Sequence, residues 1–126
     1  MTRTRLTPQL LQWFGVFGAP FAWAGQHAVG FFLTIAACDP TGGASRILID
    51  TITGVVSAVM AVVAALAGAA AVVGWAQTRG TGNSDPPPRG RRHFLAIVGM
   101  TITPLFFAMI VMSGSGVLHL TECRQS

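Results

Sequence analysis

Lysine and tyrosine are missing from this 126-residue chain, and charge of either sign is scarce, at 10% of residues. A soluble domain carries roughly 25% charged residues, so a water-facing surface cannot be built from this composition. Most soluble enzymes are excluded with it. Disorder requires low hydrophobicity, whereas 52% of the residues are hydrophobic and the mean hydropathy is +0.60. No run carries paired carboxylates or a nucleophile with a base at helical spacing, so the chain is not expected to be an enzyme. A Cys-x-x-Cys-His motif is also lacking, which leaves covalent c-type haem unsupported. The net charge of +4 could suggest a nucleic-acid partner. However, every basic residue is an arginine lying in a gap between apolar runs, a pattern that topology explains better than phosphate binding does.

Three stretches hold no Asp, Glu, Lys or Arg: Leu6–Cys38 (33 residues), Thr51–Thr78 (28) and His93–Thr121 (29). About 20 apolar residues of helix span a bilayer core, and none of the three offers the continuous polar face of a soluble core helix. The expected fold is an all-α membrane protein, a single domain over residues 1–126, with transmembrane helices near residues 10–37, 47–76 and 94–118. Asp39-Pro40-Thr41-Gly42-Gly43 reads as a turn. The proline-rich segment within residues 79–92 reads as an extended, mobile loop. Arginine placement sets the orientation. Arg3, Arg5, Arg79, Arg89, Arg91 and Arg92 fall on one side, and only Arg46 and Arg124 on the other. The amino terminus and the 79–92 loop are therefore expected in the cytoplasm, with the carboxyl terminus outside a bacterial inner membrane. Ile35-Ala36-Ala37-Cys38 resembles a lipoprotein cleavage box, but its apolar run far exceeds the roughly 7–15 residues of a signal segment, so retention is expected.

Cys38 and Cys123 fall at the outer ends of the first and third helices, in an oxidising compartment. Three readings stay open: a disulfide staple, two unpaired thiols, or a metal pair. For packing, Gly15, Gly18, Ala22 and Gly25 form one small-residue face on the first helix, and Ser57, Ala61, Ala64, Gly68 and Ala71 another on the second. Small faces let backbones approach where lipid supplies no hydrophobic force. The two faces are expected to meet each other, or one of them a helix of a larger partner. Pro20 and Pro104 lie within spans, where proline is tolerated. Trp13 and Trp75 read as interfacial anchors.

His27 lies well inside a span beside Gln26. An ionisable group there is a functional candidate for binding a cofactor or relaying protons. The plainer expectation is a neutral imidazole bonded to a neighbouring helix. Bis-histidine haem fails on depth: His27 stands roughly 24 Å beyond Leu11 and His119 roughly 38 Å beyond Phe94 at helical rise. No cofactor is expected. Met109, Met112, His119 and Cys123 form a weak soft-ligand set for Cu(I), although methionine in an apolar helix is usually packing material. Arg89, Arg91 and Arg92 sit at the cytoplasmic lipid surface, where each basic residue is worth on the order of 1 kcal/mol against anionic lipid. Thr51, Thr53 and Ser57 are too few and too close to one end to line a pore.

Trp13-x-Gly15, Pro20-x-Ala22-Trp23 and Cys38 in the first span, with Arg92-x-Phe94-Leu95-Ala96-x-x-Gly99 and Cys123 in the third, together resemble small three-helix bacterial membrane proteins encoded beside haem–copper cytochrome oxidase subunits. That resemblance covers about half the chain. It implies an accessory structural subunit of a respiratory electron-transfer complex, with no metal ligands of its own and with oxidase subunits and membrane lipid as partners. Cys38 and Cys123 match as the paired outer cysteines. Two other expectations compete: an assembly factor delivering copper or haem to an oxidase, and a small oligomeric transporter or channel component.

Overall fold

The computed structural model describes residues 8–39, 41, 45–82, 84–119 and 123, with the backbone alone for 117–119. They form three helices: α1 (Pro8–Ala37), α2 (Arg46–Gln77) and α3 (Arg89–His119), each in contact with the other two. At 1.5 Å per residue each is about 45 Å long. Pairing partners give the topology. Gly15 meets Ala71 and Gly25 meets Met60, so α2 runs antiparallel to α1. Gly68 meets Thr103 and Gly114 meets Ser57, so α3 runs antiparallel to α2. Gly15 lies against Gly99, and Cys38 against Cys123, so α1 and α3 are parallel neighbours at matching depth.

Among the described residues, α2 and α3 are long and apolar enough to cross a membrane. α1 has the length and no charged side chain, but Gln12, Gln26 and His27 lower its hydropathy below theirs.

The helix ends differ from the expected ones. α3 begins at Arg89, five residues before the expected 94, and the Arg92 N–H donates to the Pro88 carbonyl at 3.2 Å. Arginine is a good helix former, and proline's fixed φ suits a helix start. Charge marks where lipid ends, not where the helix does. The 79–92 segment is accordingly not an extended loop. Between α2 and α3 the chain makes two turns, closed by Thr81 N–H donating to Thr78 O and Asp85 N–H donating to Gly82 O, each at 3.1 Å. Gly80 takes a positive φ of 82°, which glycine adopts without steric cost.

The interior is built from small side chains. Ala19, Ala22, Ala64, Ala67 and Ile110 form its centre, flanked by Trp23, Met60, Ala61, Val63 and Phe106. Bulky apolar groups point outward instead: Phe21, Phe32 and Met112 are each at least 70% exposed. Both features fit close packing by dispersion in an apolar solvent.

Candidate functional site

Gln26, not His27, is the side chain of this pair that is buried between the helices. Gln26 follows Ala19 and Ala22 on one face of α1, at i+7 and i+4, and this face turns inward. Its Nε2 donates to Ser57 Oγ on α2 at 2.9 Å and to the Ile110 carbonyl on α3 at 3.1 Å. One side chain thus ties all three helices. Its Oε1 is buried without a partner among the described residues, as is Trp23 Nε1 one turn earlier.

His27 is one residue on, about 100° around the helix, and is exposed at the bundle surface. Its Nδ1 lies 3.0 Å from the Trp23 carbonyl. A carbonyl only accepts, so this bond requires the Nδ1–H tautomer and leaves Nε2 unprotonated when the ring is neutral. The ring also stands 4.6 Å from Trp23. The expected bond from His27 to a neighbouring helix is replaced by this bond within α1. A cavity of about 320 Å³ opens here, lined by Gln26, His27, Thr34, Thr53, Ser57 and Ser113 among others. It can offer hydrogen bonds to a guest.

The expected packing residues distribute over two seams. A Cβ built on Gly18 would fall 2.7 Å from the Ala67 Cβ, and one on Gly15 would fall 3.1 Å from the Ala71 backbone nitrogen. Gly25 faces Met60, and Ala22, Ala64 and Ala71 are buried. Ala61 packs against the core, while Gly68 faces Thr103 and Ser57 faces Gly114, both on α3. The α2 residues therefore serve α1 and α3 alike. Gly99 was not in the expected packing set, yet a Cβ there would meet the Gly15 carbonyl oxygen at 2.6 Å and the Ala71 Cβ at 3.0 Å. Its i, i+4 relation to Thr103, which is also buried, was the available signal.

At the opposite ends of α1 and α3 from the arginine cluster, Cys38 and Cys123 are disulfide-bonded with Cα atoms 5.6 Å apart. Nearby, the Asp39 carboxyl lies below the ordinary aspartate range because the Thr41 hydroxyl and then the Thr41 N–H donate to it, at 2.7 and 3.0 Å. Met109 and Met112 are exposed on the outside of α3. Among the described residues no group of three or more His, Cys, Asp or Glu is placed to hold a metal, and the His119 side chain lies outside those residues.

At the arginine-rich end, Arg79, Arg89 and Arg92 line a cavity of about 420 Å³ between the start of α1, the end of α2 and the start of α3. The Arg79 guanidinium lies over the Trp75 ring, 4.6 Å from its centre. Arg91 lines a smaller adjoining cavity with Gln9 and Pro88. Trp13 stacks on Phe17 at 5.5 Å on the outer face of α1. No family model, curated protein or solved structure matches the chain.

Proposed function

We propose that the chain is a three-span protein of a bacterial cytoplasmic membrane and acts as a non-catalytic accessory subunit, packing against a larger respiratory electron-transfer complex. Its amino terminus lies in the cytoplasm and its carboxyl terminus outside. The parallel placement of α1 beside α3 supports the third span, because a charge-free helix at the same depth as an apolar one shares its surroundings. The arginines at one end and the bonded cysteines at the other support the orientation.

The observation that carries the accessory role is the outward face of α1. Trp13, Phe14, Phe17 and Phe21 flank a groove of about 470 Å³ that also involves Gly18 and Met60. Exposed apolar side chains as such also suit lipid, but a groove whose shape is held by the adjoining close α1–α2 contact gives the ridge of a partner helix a surface to fit. The choice of cytochrome oxidase as partner rests on the motifs in α1 and α3 named above.

Native purification in mild detergent, followed by mass spectrometry of co-migrating proteins, tests the reading. Oxidase subunits should co-migrate, and loss of this chain should lower the stability of the complex with its cofactors intact. Migration of this chain alone would overturn the accessory role. A carboxyl-terminal tag found on the cytosolic side would overturn the orientation.

A further inference from the structure

The cavity at the arginine-rich end has a chemistry of its own. Arg79, Arg89 and Arg92 reach it from the α2 end and the α3 start, and no carboxylate is among its lining residues. Gln12 of α1 also lines it, and the Gln12 Nε2 is buried with no acceptor among the described residues. Among the described residues, the one buried lining atom left without a partner is thus a donor, as are the three guanidinia. The first N–H groups of α3 lack carbonyls within the helix, and the positive end of its dipole coincides with Arg89, Arg91 and Arg92, an arrangement that repels itself. Stacking on Trp75 orients Arg79. Below the cationic rim the lining turns apolar, with Leu11, Leu95 and Ala96.

We infer that this cavity is a binding site for a phosphate group, held by the Arg79, Arg89 and Arg92 guanidinia and the Gln12 amide. Phosphate answers each unmet feature: it accepts from planar guanidinium forks and from an amide N–H, and it offsets the dipole. The phosphate arrives either as the headgroup of an anionic phospholipid, whose glycerol and acyl portion suit the apolar floor, or as the free ion. Only the lipid source rests on the membrane reading above.

The full chain in detergent is titrated with short-chain phosphatidylglycerol, with phosphatidylcholine of the same chain length and with inorganic phosphate, and binding is followed by native mass spectrometry and calorimetry. Phosphatidylglycerol should saturate a single site that phosphatidylcholine, whose phosphate is paired with a choline cation that the three arginines repel, does not fill. Arg92→Gln and Gln12→Leu should each weaken it roughly tenfold or more, and Arg92→Lys should weaken it less. Arg46→Gln, at the far end of α2, should leave it unchanged. Saturation by inorganic phosphate with the same variant pattern would support the site and assign it to the free ion. Equal affinity for the two lipids without phosphate binding, or equal weakening by Arg46→Gln, would overturn the site. A chain that stays monodisperse without detergent would refute the membrane reading, while the inorganic phosphate arm still tests the site.

Discussion

Gln26 shows how much one azimuthal step decides. It and His27 are neighbours in the chain, yet Gln26 spans three helices while His27 bonds only to its own. Hydrogen bonds between membrane helices are worth about 0.6 kcal/mol on average and up to about 1.7. Gln26→Ala also leaves a void, so it should cost about 2 kcal/mol. Gln26→Leu fills that void and removes the orphaned acceptor, so it should cost less. Denaturant titration in micelles separates the two, and equal losses would show that the void contributes nothing and that the lost hydrogen bonds carry the whole cost. At Asp39 the two bonds from Thr41 hold the folded-state pKa below its unfolded value. The stabilisation is therefore present above the ordinary aspartate pKa and is lost as pH falls through the lowered one, on the acid side of neutrality. Thr41→Val should raise the Asp39 pKa in an NMR titration of its carboxyl carbon, since the hydroxyl bond is the larger cause.

At the scale of elements, the helices approach as closely as their glycines permit. Gly99 sits against the Gly15 backbone, where a methyl group cannot be accommodated by rotating a side chain. Gly99→Ala should destabilise by about 1–3 kcal/mol through overpacking. Gly30 and Gly54 meet nothing within 4 Å of a built Cβ, so Gly30→Ala and Gly54→Ala should be neutral or gain up to about 1 kcal/mol of helix propensity. Thermal unfolding of the three variants in one detergent checks the contrast. A Gly99→Ala protein as stable as Gly30→Ala would mean that the α1–α3 approach is looser than described. The small-residue faces of α1 and α2 were legible in the chain because period is a local property. The sharing of the α2 face between two neighbours was not, because residues 58–76 of α2 are apolar all round and no polar stripe marks the outward side there.

For the whole molecule, the disulfide closes the bundle at one end and the two turns connect it at the other. Cys38 and Cys123 are 85 residues apart, so their bond constrains most of the chain when it unfolds. The Cys38→Ser, Cys123→Ser double variant should lose about 2–4 kcal/mol, and maleimide labelling of the parent chain should require prior reduction. Labelling without reductant, as judged by a gel shift, would remove the staple. The outward aromatic groove and the arginine cavity belong to this scale too, since each draws residues from more than one helix.

The chain alone determined three long helices, an arginine-rich end, a pair of cysteines at the opposite end and small residues at helical spacing. Length without charge, and period, are read along one segment at a time. Only the packed bundle decided that Gln26 rather than His27 turns inward, that Gly99 touches Gly15, and that Arg79, Arg89, Arg92 and Gln12 surround one cavity. Those facts depend on the rotation and depth of each helix relative to its neighbours. In a chain whose faces are nearly all apolar, shape complementarity between helices sets that rotation, and no single segment records it.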